Sequence, residues 1–189
     1  MEWTFEELLV ELCAPTLLGY KPASLFRYKF SKGFQVYDEV QKWNEKLNGF
    51  NIYIRILKEC CKKDACLIYV YRPKYLSAIL SEEEMVAFLE KNGYERHASM
   101  EECLDFLSSR LCLDREFPHE IGVFLGYPLM DVVGFIENKG ENYMYCGHWK
   151  VYGNLKKAVQ KFTQYNMCTS YCKERFSHGD TITRLAVAI

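Results

Sequence analysis

Residues 117–153 read FPHEIGVFLGYPLMDVVGFIENKGENYMYCGHWKVYG, and the fold turns on what that stretch forms. The run EIGVFLGY (120–127) is apolar and unbroken up to Pro128, which predicts a central strand buried on both faces. Pro128 then opens a short helix over 129–138, Lys139-Gly140 turns the chain, and YMYCGHWKVY (143–152) reads as a long strand. Into this strand–helix–strand unit the chain places His119, His148, Glu120, Asp131, Trp149, Lys150 and six glycines. Polar groups of several chemistries beside long apolar runs are the pattern of a cleft at strand ends.

Working outward, Thr4 caps a first helix whose apolar face is Phe5, Leu8, Leu9 and Leu12, with Glu6 and Glu7 in its first turn and Pro15 at its end. Residues 16–30 are ambiguous: Gly19 and Pro22 break the stretch, and 23–28 is readable as a short strand. Val36, Val40, Trp43 and Leu47 recur at helical spacing within 34–47, and Asn48-Gly49 stops that helix. NIYIRILK (51–58) and ACLIYVYR (65–72), joined by a short charged link, predict an antiparallel hairpin. Helices follow from Pro73, from Ser81 with Glu84 as a capping box, and from Ser99 with Glu102 as a second. Asn154 caps a last long helix to about Phe176, and a short apolar segment (182–189) closes the chain. The expected fold is α/β or α+β: a mixed sheet of four to five strands with a β-hairpin, packed by helices. The 189 residues make one domain, with a soft boundary at 113–117.

Composition narrows the class. A hydrophobic content of 49% buries a full core, and 14 tyrosines among 15% aromatics suit half-wet surfaces or a ligand cleft. Basic (24) and acidic (25) residues balance, with no long run of one sign, which argues against nucleic acid as a partner. The beginning MEWTFEELLVEL is an acidic amphipathic helix rather than a secretion signal, and no apolar run approaches the ~20 residues of a membrane span. With 9 cysteines, an odd number, the reading is a cytoplasmic protein with reduced thiols.

CAPTLLGYKPASLF (13–26), LIYVYRP (67–73), FPHEIGVFLGYPLMDVVGFIENKG (117–140) and GHWKVYGN (147–154) together resemble a family of bacterial proteins known as a domain of unknown function and common in anaerobic Gram-positive bacteria. The resemblance spans nearly the whole chain, and its third stretch is the most specific. It implies a stand-alone cytoplasmic protein and brings a loose association with iron-responsive gene neighbourhoods and flavodoxins. It carries no activity and no catalytic residues, so the site candidates rest on chemistry.

His119 and Glu120 are a proton-transfer or metal-binding pair where a loop enters the predicted strand, although neighbours on a strand face opposite ways. Arg72, closing a buried strand, and Cys13, after the first helix, complete the catalytic candidates. Arg72, Lys150, Trp149 and Ser24 are the ligand-binding candidates. Cys146 and His148, two apart and so on one face of the predicted strand, join Cys168 and Cys172, four apart on a helix, as a zinc or iron site. The bland alternatives are an Arg snorkelling from a sheet end and small thiols filling core gaps. Cys60, Cys61 and Cys66 fit no iron–sulfur spacing. GxGxxG, Walker, GxSxG and HExxH motifs are absent.

Two functions follow as expectations. One is a small-molecule- or metal-binding protein with a cleft around His119 and His148, with or without a reaction. The alternative is an adaptor whose aromatic surface binds a redox or iron-related partner. Neither expects nucleic acid or a membrane, and the oligomeric state is open.

Overall fold

The computed structural model describes residues 3–29, 36–60, 64–113 and 116–188. Its centre is a three-stranded antiparallel sheet of β1 (Ala23–Lys29), β2 (Tyr53–Cys60) and β3 (Ala65–Tyr71), in the order β1-β3-β2. The predicted hairpin is β2–β3. The sequence ACLIYVY explains why β3 lies in the middle: it is apolar at both alternations and therefore suited to burial on both faces. Cys66, Ile68 and Val70 enter one core, while Tyr69 and Tyr71 enter another. A bulge between Ile56 and Lys58 shifts the register of β2, and Leu57 there is buried in the second core.

The first core is closed by α1 (Phe5–Leu17), α2 (Val36–Leu47), the end of α8 (Leu155–Ser177) and α9 (Ile182–Leu185). The second is closed by α3 (Pro73–Leu80), α4 (Glu83–Lys91), α5 (Met100–Leu113), α6 (Ile121–Phe124) and α7 (Leu129–Glu137). A third, small core of Trp149, Val151, Ala158, Phe162 and Tyr165 lies between α8 and a ribbon of β4 (Tyr145–Cys146) and β5 (Lys150–Val151). Among the described residues, no helix is long and apolar enough to cross a membrane.

The α+β class therefore stands, but the single mixed sheet of four to five strands does not: the described strands form a three-stranded sheet and a separate two-stranded ribbon, all antiparallel. The stretch 120–127 is not a strand. It folds into α6, and Tyr127 N–H bonds back to Gly122 C=O while Gly126 N–H bonds to Val123 C=O. These are the paired bonds of a Schellman ending, which needs a left-handed residue where Gly126 stands, at φ +73°. A helix of one turn buried on every side shows no amphipathic period, so its sequence imitates a central strand. The stretch 143–152 is not one long strand either; Gly147 N–H bonds to Trp149 C=O and turns the chain back on itself.

Smaller corrections concern helix ends. α1 continues past Pro15 to Leu17, and Glu82 rather than Ser81 precedes α4. The Ser99–Glu102 box is present, as is one from Thr4 to Glu7. Residues 34, 35, 61–63, 114 and 115, which fall within the predicted second helix, the hairpin turn and the soft boundary, lie outside the described residues.

Candidate functional site: a cleft between α6, α7 and the 145–151 ribbon

A cavity of about 370 Å³ opens where α6, α7 and the ribbon meet β1. Every lining residue but Leu25 comes from 117–150. Its floor is apolar, with Leu25, Ile121, Leu125 and Val132; its walls are the rings of Tyr127, Phe135 and Trp149. Around it stand His119, Cys146, His148 and Lys150.

Asp131 assembles this cleft. It is buried in the first turn of α7, and its carboxylate accepts from Trp149 Nε1–H at 2.7 Å, Tyr152 N–H at 2.8 Å and Gly153 N–H at 2.7 Å. A buried carboxylate in an apolar helix costs several kcal/mol unless donors surround it, and here the ribbon supplies them. Trp149 is thereby fixed in orientation, stacked on Tyr127 with centroids 4.9 Å apart, and edge-on to Phe162 at 4.5 Å. Gly147 completes the attachment: a Cβ there would collide with the Phe162 ring, so the ribbon tip lies directly on α8. Asp131 had no role assigned from sequence; an acid inside PLMDVVGFI was the available signal.

Lys150 Nζ donates to Gly140 C=O at 2.6 Å and lies 4.6 Å from the centre of the Tyr143 ring. Its cross-strand partner is Cys146, whose thiol is exposed. His148 is exposed, with Nε2 at 2.9 Å from Asn166 Oδ1 and its ring against Phe162 and Tyr165. His119 is exposed and packs on Phe117 and Phe135. Cys146, His148, Trp149, Lys150 and His119 are thus brought to one cleft.

The remaining candidates are elsewhere. Glu120 is buried away from the cleft, 2.6 Å from Arg110 Nε, and accepts from the Tyr94 hydroxyl at 3.3 Å. Burial and this carboxylate raise the Tyr94 phenol well above its ordinary range. The His119–Glu120 pair is therefore split. Arg72 is fully buried; its guanidinium donates to the carbonyls of Thr16, Leu17, Phe50 and Val187 at 2.7–3.0 Å. It thus clamps the end of α1 to the C-terminal segment. Ser24 Oγ is 2.9 Å from Thr16 Oγ1, in the same buried region. Cys13 is wholly buried, and burial pushes its thiol up to about 12, so it is held neutral.

Cys168 and Cys172 face the first core from α8, and burial likewise raises Cys172 to about 12. They do not converge with Cys146 and His148. Among the described residues, no three of His, Cys, Asp and Glu gather as metal ligands. These two cysteines pack as small apolar groups.

Lys21, which with Ser24 in KPAS (21–24) offers a cation and a hydroxyl to an anionic ligand on the sequence alone, lies behind the Tyr127 wall of the cleft. It is 9% exposed, and its Nζ lies 5.4 Å from the Tyr127 ring centre and 5.9 Å from that of Tyr165. Burial lowers its amine from 10.5 to about 8.

No curated protein and no solved structure matches this chain. A family model does, over residues 9–186, and its description is "Protein of unknown function (DUF3793)". The match covers nearly the whole chain, and the protein belongs to that family.

Proposed function

We propose that this member of the DUF3793 family binds a small organic molecule with a flat, apolar body in the cleft of α6, α7 and the ribbon. One observation carries the reading: a cavity of about 370 Å³ with an apolar floor, three aromatic walls and its polar groups gathered around it. Sites for small molecules are of this kind and size, with few polar groups that orient the ligand. Trp149 and Tyr127 offer stacking faces. Any reaction on the molecule would fall to the imidazoles of His119 and His148 or the thiol of Cys146, which stand at the cavity. An organic ligand is preferred over a metal ion because Cys168 and Cys172 lie in the first core.

The chain has 3 tryptophans, so its indole N–H signals in a ¹⁵N-labelled sample are few enough to follow singly. Small aromatic probes such as indole, benzoate and benzamide should shift the Trp149 signal saturably and leave Trp43, in the first core, unmoved. Cys146→Phe, which puts a ring at the exposed rim, should abolish the shift. If every probe leaves Trp149 unmoved, or moves Trp43 equally, the reading fails.

A second reading, recognition of a protein partner, is favoured by the exposed row Tyr143, Met144 and Tyr145 beside the cleft, at 41%, 53% and 48%. A surface that recognises only a protein leaves the Trp149 indole unmoved by all the probes.

A further inference from the structure

We propose that the cleft selects anions, and that Lys21, an ammonium buried behind its aromatic wall, sets that sign. The inference rests on the cleft reading above and adds the charge of the ligand.

Lys21 follows the turn that ends α1, where its backbone N–H bonds to Pro15 C=O. Its side chain runs beneath Tyr127 and Tyr165 and is 9% exposed. Among the described residues, no carboxylate pairs with it. The titratable groups that face it are Cys13 from α1, Tyr127 after α6 and Tyr165 from α8. Burial holds each of them up to about 12, so all three are neutral at pH 7 and leave the ammonium uncompensated. Two aromatic faces give it cation–π attraction, which is weaker than a carboxylate would give. An unpaired buried charge is costly to keep, and such groups cluster at sites that use them.

The cleft has the other half of the argument. The charged groups at its lining are Lys150 and Asp131, with the imidazoles of His119 and His148. Lys150 and Asp131 are of opposite sign, and Asp131 is already held by three N–H donors. Lys21 therefore tips the balance to positive. It does so through Tyr127, whose ring centre lies 5.4 Å from the ammonium and which also lines the cavity, stacked on Trp149. The field crosses this wall with little water to screen it. The ligand class is a small flat molecule bearing a carboxylate or a similar anionic group.

Benzoate and benzamide share one shape and differ in charge, and both are read at the Trp149 indole. In the wild-type protein at pH 7, benzoate should bind about tenfold more tightly than benzamide. Lys21→Met should remove most of that preference by weakening benzoate and not benzamide. Lys21 has no ionic partner to lose, and Lys21→Gln serves as a second variant if the first perturbs the indole signals. Raising the pH from 7 to 9.5 should erode the wild-type preference as the amine loses its proton. Lys21→Arg should keep the preference at pH 9.5. The difference between wild type and Lys21→Met across the same pH range cancels the contribution of every other group. Equal binding of the two probes to wild type, or an undiminished preference in both Lys21→Met and Lys21→Gln, overturns the inference and leaves the cleft reading standing. If neither probe moves Trp149, both fail.

Discussion

Two buried cations in this chain show opposite solutions to one problem. Arg72 spreads its charge over four backbone carbonyls, which also satisfies the ends of α1 and the C-terminal segment. Arg72→Met should therefore take the guanidinium donor from all four carbonyls, Thr16 and Leu17 keeping the N–H groups of Gly19 and Val187 respectively, and cost about 3–5 kcal/mol in urea unfolding; a loss within ~0.5 kcal/mol would refute the clamp. Lys21 has only rings. Its folded pKa of about 8 lies below the 10.5 of the free side chain, so between those values the unfolded chain holds a proton that the folded one has lost. Stability consequently rises with pH across that window, and the penalty is at its full size below pH 8. Lys21→Met should stabilise the protein at pH 7 by up to about 3 kcal/mol, with the gain shrinking toward pH 10.5. Denaturation midpoints of both proteins at pH 7 and pH 10 check this; a variant less stable at pH 7 would contradict it. From sequence, Arg72 was visible as notable but its role was not, because an Arg at a strand end looks the same whether it meets a ligand or four carbonyls.

At the scale of elements, local chemistry was legible where it is self-contained. The Thr4–Glu7 and Ser99–Glu102 boxes close within one turn and need no distant partner. Ser99→Ala should cost α5 about 1 kcal/mol, read from thermal unfolding, and an unchanged midpoint would show the cap to be idle. β3 was equally plain, since ACLIYVY is rich in residues that pack on pleated sheets. The run 120–127 was misleading because Ile121, Gly122, Val123 and Phe124 are all buried and carry no period. Gly126 held the clue. Its φ is +73°, and a Cβ there would collide with the Pro22 ring. Gly126→Ala should destabilise the fold by about 2–4 kcal/mol, from backbone strain and the displacement of Pro22 together. A tolerated alanine would mean that the α6 ending is not as described.

In the whole molecule, the sheet separates two helical layers, and the ribbon is attached to this body through Asp131, Trp149 and the Phe162 ring. Asp131→Asn should weaken that attachment selectively, because an amide cannot accept as a carboxylate does. In native-state hydrogen exchange, Tyr152 and Gly153 amides should then open earlier while β3 amides stay protected. Uniform acceleration throughout would instead make Asp131 part of the global core. The sequence by itself determined the helices that carry caps and periodicity, the β2–β3 hairpin and, through its motifs, the family. The helices and the hairpin follow from interactions between residues a few positions apart. The tertiary structure alone decided that 120–127 is helical, that His119 and Glu120 part company, that Cys168 and Cys172 lie in a core, and that Lys21 reaches the back of the cleft wall. Each of these depends on which surface a segment meets across the fold, and burial on all sides removes the period that would have announced it.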